Sequence, residues 1–88
     1  MKRCADFLLR EVAGTTVLVP VGEAVNKFPG MMTVNATGAY IWELLKEEQT
    51  LQSLTDALVA EYEVSPELAK MDVEAFLKKL EPTGAILP

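Results

Sequence analysis

Eighty-eight residues, half of them apolar, suffice for one small domain with a compact core and leave little room for a deep substrate pocket beside it. One cysteine and no histidine exclude an intramolecular disulfide, zinc sites built from both residue types, and nucleophile arrangements that lean on an imidazole. The net charge of −5 is unevenly spread, with +1 on residues 1–35 and −6 on residues 36–88.

The basic start Met1-Lys2-Arg3 is not followed by an apolar stretch of signal-peptide length, because Arg10-Glu11 interrupts Phe7-Leu8-Leu9. No apolar run approaches a membrane span. A cytoplasmic protein is expected, with Cys4 an inert thiol beside a frayed terminus. Phe7 to Val12 and Thr15 to Pro20 read as two strands of a hairpin. The second is rich in β-branched residues, and Ala13-Gly14 supplies the turn. Val21 to Gly30, punctuated by Gly22, Asn26, Pro29 and Gly30, reads as a longer connection. Met31-Met32-Thr33-Val34 is too short for a helix and is expected to form a third strand. At the edge of the sheet, that strand would keep half of its backbone groups unpaired.

Three helices are expected next. Asn35 caps the first, Ala36 to about Glu48, with Ile41, Trp42, Leu44 and Leu45 on an apolar face and Trp42 in the core. Gly38 inside it implies a close approach by another backbone. Thr50 caps the second, Leu51 to about Tyr62, where Leu51, Leu54, Leu58 and Tyr62 recur at helical spacing. Ser65-Pro66-Glu67 opens the third, combining a capping hydroxyl, proline in the first turn and an acid at the positive end of the dipole. That helix runs to about Leu80, where Pro82 and Gly84 stop it. Ala85-Ile86-Leu87 follows as a short strand or packed tail. Residues 1–88 are thus expected to form one α+β domain, with residues 1–34 β-rich and residues 35–88 a three-helix part with the outline of a winged helix-turn-helix.

The third helix carries more apolar surface than one face requires. Ala69, Val73, Phe76, Leu77 and Leu80 fill a stripe, while Leu68, Met71 and Ala75 point elsewhere, beside Asp72 and Lys79. Periodicity alone leaves two readings level: a helix packed on two sides within its domain, or a helix with a surface that covers something.

The stretch Val34-Asn35-Ala36-Thr37-Gly38-Ala39-Tyr40-Ile41-Trp42-Glu43-Leu44-Leu45 resembles the PqqD-like family. So does the order around it: Arg10 to Gly14 before a Leu-Val-Pro strand, a Thr-Leu-x-x-Leu helix, Asp72-Val73-x-x-Phe76-Leu77-x-x-Leu80, and Gly84-Ala85-Ile86-Leu87. The resemblance covers nearly the whole chain, and its specificity lies in the ordered set rather than in any one piece. It implies a three-stranded antiparallel sheet packed on three helices. It also implies a peptide-binding adaptor without catalytic residues, metal or cofactor. In that family the leader of a ribosomally made precursor adds as an extra strand between the third strand and the third helix. The domain then presents the precursor to a modifying enzyme, often a radical S-adenosylmethionine protein. Carried onto this chain, the edge would be Met31, Met32, Thr33 and Val34, and the facing wall Leu68, Met71, Asp72, Ala75 and Lys79.

DNA binding, the usual work of a winged helix, is disfavoured by the −6 charge of the helical part and by the scatter of Lys70, Lys78 and Lys79 among Glu67, Asp72 and Glu74. Catalysis is disfavoured by the lack of paired carboxylates among apolar neighbours and of a Gly-rich phosphate loop. A third reading is a homodimer through the same edge strand, which would compete with peptide for one row of hydrogen bonds.

Overall fold

The computed structural model describes residues 1–27 and 30–87. Pro29, one of the expected breakers, lies outside them. Chain order is β1 (Lys2–Arg3), β2 (Phe7–Val12), β3 (Thr15–Pro20), α1 (Ala24–Lys27), β4 (Met32–Thr33), α2 (Ala36–Leu44), α3 (Leu51–Tyr62), α4 (Pro66–Leu80), a 3-10 turn (Glu81–Thr83) and β5 (Ile86–Leu87). The three-stranded antiparallel sheet has the order β2-β3-β4, and β1 pairs with β5 in a separate ribbon. The expected α+β architecture is therefore present.

The hairpin closes through two residues with positive φ, Ala13 (51°) and Gly14 (81°), between the paired Val12 and Thr15. Such a turn matches the right-handed twist of the flanking strands. Alternation then does its work. Phe7, Leu9 and Leu18 face the helices and join or border the core, whereas Leu8 and Val12 are exposed on the other face.

The helix starts follow the capping residues. The Asn35 side chain accepts from the Gly38 amide at 2.8 Å, Thr50 and Ser53 form a reciprocal capping box, and Ser65 accepts from Leu68. Trp42 is 1% exposed and packs with Ile41, Leu45, Leu54, Leu58, Ala69, Val73 and Leu80 in the core, as expected for an aromatic at helical spacing.

Four features differ from expectation. The Val21 to Gly30 connection contains the short helix α1. The third strand is confined to Met32–Thr33, with Met31 and Val34 flanking it. The first long helix stops at Leu44 rather than near Glu48. Its last carbonyls are taken by groups from elsewhere: Arg3 N–H donates to Leu45 O at 2.9 Å, Arg3 Nη1 to Trp42 O at 3.2 Å, and Gln49 Nε2 to Leu44 O at 2.9 Å. Finally, the start of the chain is not frayed. β1 pairs with β5, and Cys4 N–H donates to Ala85 O at 2.7 Å, so Cys4 is half-buried between the two termini.

Candidate functional site

The edge of the sheet at β4 has a register that decides which main-chain groups are free. Val17 lies opposite Thr33 and Leu18 opposite Met32, while Val34 N–H donates to Thr16 O at 2.9 Å. Hydrogen-bonded and non-hydrogen-bonded pairs alternate in an antiparallel ladder, so Thr33 belongs to a non-hydrogen-bonded pair. Its N–H and C=O therefore point away from β3, outward from the sheet. Among the described residues the carbonyl has one partner: Lys79 Nζ donates to it at 2.9 Å.

Lys79 reaches the strand from α4, which runs alongside. Between the two elements lies an open cleft of ≈ 370 Å³, lined by Thr33, Val34 and Asn35 on the strand side, Thr37 and Gly38 from the first turn of α2, and Asp72, Ala75, Phe76 and Lys79 from α4. Gly38 makes the floor possible. A Cβ there would sit 2.8 Å from Val34 Cγ1 and 2.9 Å from Phe76 Cε1, so side chains rather than a backbone impose the close approach. Val34 is itself core, which ties the strand's exit from the sheet to the start of α2.

Of the nine residues expected at the site, Thr33, Val34, Asp72, Ala75 and Lys79 come together around this cleft. The other four do not line it. Met32 turns inward and packs against the core. Met31 is 63% exposed just ahead of the strand. Leu68 and Met71 lie on the same exposed stripe of α4 as Asp72, Ala75 and Lys79 but nearer its N-terminus, at 47% and 66% exposure. Two large apolar side chains in water, continuing the helix stripe that borders the cleft, form a surface that a partner can cover. Sequence reasoning missed Asn35, Thr37, Gly38 and Phe76 as lining residues. Asn35 reads as a cap and Phe76 as part of the core stripe, and each does both jobs here.

A larger hollow of ≈ 550 Å³ lies between α3, the end of α4 and β5, with Leu51, Leu77, Ile86 and Leu87 in its lining. Its strand β5 is paired with β1 on one side only, as β4 is with β3. The cleft at β4 and α4 is the candidate site because five of the nine expected residues gather there. Among the described residues no helix is long and apolar enough to cross a membrane.

No curated protein matches the chain. Two solved structures share its fold. One, described as TbiB1 in complex with the TbiA(beta) leader peptide, has a TM-score of 0.73 and 25% identity, covering 97% of this chain and 93% of that one. The other, lasso peptide synthetase B1 complexed with the leader peptide, has a TM-score of 0.72 and 22% identity, covering 99% of this chain and 96% of that one. The family model described as coenzyme PQQ synthesis protein D (PqqD) matches residues 14–86. That match runs from the hairpin turn through β4, α2 and α4 to the closing strand, and so takes in every element that frames the cleft. The chain belongs to the PqqD family.

Proposed function

We propose that the chain is a non-catalytic peptide adaptor. It captures the leader of a ribosomally synthesised precursor as an added strand on the outer edge of β4, against α4, and presents the rest of the precursor to a separate modifying enzyme. The observation that carries this reading is the outward-facing main chain of Thr33, bordered across an open cleft by an exposed helix stripe. Family membership and the two leader-peptide complexes of the same fold support it. The peptide-contacting set is Met31, Thr33, Leu68, Met71, Asp72, Ala75 and Lys79, with Met32 and Val34 holding the edge from the core side.

The energetics set what each part contributes. A main-chain hydrogen bond yields about 0.5–1.5 kcal/mol net, whereas ordering a disordered peptide costs about 2–5 kcal/mol or more. A strand as short as β4 offers few such bonds, so backbone pairing alone roughly breaks even. Apolar side chains of the peptide, laid over Ala75, Met71 and Leu68, supply the surplus and the selectivity.

The partner enzyme is of the peptide-modifying kind, with a radical S-adenosylmethionine protein the foremost candidate, and the encounter takes place in the cytoplasm where precursors are made. Neighbouring genes encoding a short precursor and such an enzyme would bear this out. The direct test of peptide capture is selection of binders from a random displayed peptide library, followed by titration into isotopically labelled protein. Amide signals of Met31 and Thr33 should shift most. Shifts confined to the hollow near Leu51 and Leu87 would overturn the placement.

A further inference from the structure

The bond between Lys79 and Thr33 is the one side-chain hydrogen bond among the described residues that joins β4 to α4. Both of its residues line the cleft. The acceptor it occupies is the carbonyl that an added strand would need. Lys79 is also the one basic residue in the lining, with Asp72 the one acidic residue. The two are seven positions apart on α4, about 10.5 Å along the helix axis at 1.5 Å per residue. That is too far for them to satisfy each other directly.

We propose that Lys79 is a placeholder that is also a selector. In the free protein its ammonium caps the Thr33 carbonyl. An incoming strand takes over that carbonyl with a main-chain N–H and releases the ammonium onto a carboxylate of the same peptide, so the cleft selects segments bearing an aspartate or glutamate on the side facing α4. This inference rests on the peptide-adaptor reading and deepens it by naming the chemistry of the captured segment.

The physical argument has three steps. An uncapped strand edge invites pairing with any other chain, and lysine is a common device for blunting it. A lysine can do so reversibly, because its ammonium sits on a flexible four-carbon stem. Once displaced, the ammonium remains beside the bound strand at a partly enclosed cleft. A carboxylate there replaces the lost bond with one in which both partners are charged, an amide or hydroxyl oxygen restores only the kind of bond that Thr33 gave, and an apolar or basic side chain restores none. Because Lys79 stays exposed, the discrimination is modest, about three- to fivefold in affinity.

The test is a random peptide library displayed on its own mRNA and selected in parallel against the wild type, Lys79→Glu, Lys79→Met and the cleft-blocking Ala75→Arg, each first checked for fold by circular dichroism and for size by gel filtration. The expected result is a wild-type pool with an acidic residue at one fixed position of its shared motif. Lys79→Glu should exchange that residue for lysine or arginine, Lys79→Met should lose the preference while keeping the apolar positions, and Ala75→Arg should recover no motif. A wild-type pool that Ala75→Arg loses but that shows no acidic position, or that Lys79→Glu leaves unchanged, overturns the inference and leaves the adaptor reading standing. Dimerisation of Lys79→Met with an unaltered motif also overturns it, since Lys79 would then only guard the edge. A motif that survives Ala75→Arg overturns both.

Discussion

Thr33→Pro separates the free face of β4 from the paired one. Its N–H points away from β3, so proline there removes no ladder bond and is tolerated as it is on other edge strands. The preceding Met32 is already in extended conformation, which is what proline asks of its neighbour. Stability should therefore change by less than about 1 kcal/mol, a shift of at most about 4–8 °C in Tm for a domain of this size. Peptide binding should suffer much more. The acceptor on the incoming strand loses its donor, at a cost of about 1–3 kcal/mol. Binding should weaken by about fivefold or more. The contrast is Val34→Pro one residue later, which deletes the 2.9 Å bond to Thr16 O and a buried side chain and should destabilise the whole sheet. Calorimetric titration of a library-selected peptide, with thermal melts of both variants, reads the two effects separately. A folded Thr33→Pro protein whose Kd changes by less than about twofold would refute the strand-addition geometry.

Met71→Ala should leave Tm nearly unchanged, because the side chain is 66% exposed, yet weaken a selected peptide by about two- to tenfold in the same titration. Gly38→Ala pushes a methyl group to within 3 Å of Val34 and Phe76. An overpacking cost of about 1–3 kcal/mol outweighs a helix-propensity gain of up to about 1 kcal/mol, so urea unfolding should show a net loss of about 0–2 kcal/mol and nuclear magnetic resonance a displaced Phe76 ring. Ala13→Asn relieves a non-glycine residue held at φ 51° and creates the preferred Asn-Gly turn, so unfolding should show a gain of about 0.5–1 kcal/mol.

Much of this architecture was legible because its signals are local. The hairpin declares itself through Ala13-Gly14 between alternating strands, and the three long helices through Asn35, Thr50 and Ser65 as caps. The two stripes of α4 separate as their spacing indicates, with Ala69, Val73 and Leu80 buried and Leu68, Met71, Asp72, Ala75 and Lys79 exposed. What escaped is long-range. The β1–β5 ribbon pairs strands of two residues each from opposite ends of the chain, too short for a pattern. The end of α2 is set by Arg3 and Gln49 arriving from outside the helix. The site divides in the same way. Spacing separates the two stripes of α4, but leaves open whether the second one is covered within the domain and how far the strand extends beside it. β4 covers about 7 Å at 3.3–3.4 Å per residue, whereas α4 is about 22 Å long. Leu68 and Met71 therefore lie beyond the strand's reach, and only a longer bound segment would meet them. The Lys79 contact depends on the outward turn of one carbonyl, which is a matter of register and not of residue type.

The adaptor reading is tested most directly by hydrogen exchange at the Thr33 amide, followed by nuclear magnetic resonance with and without a saturating selected peptide. The amide should exchange rapidly in the free protein and at least about tenfold more slowly in the complex, while the Val34 amide stays protected in both states. Slow exchange at Thr33 before any peptide is added, or fast exchange that persists at saturation, would contradict the proposal that a peptide strand is built onto this edge.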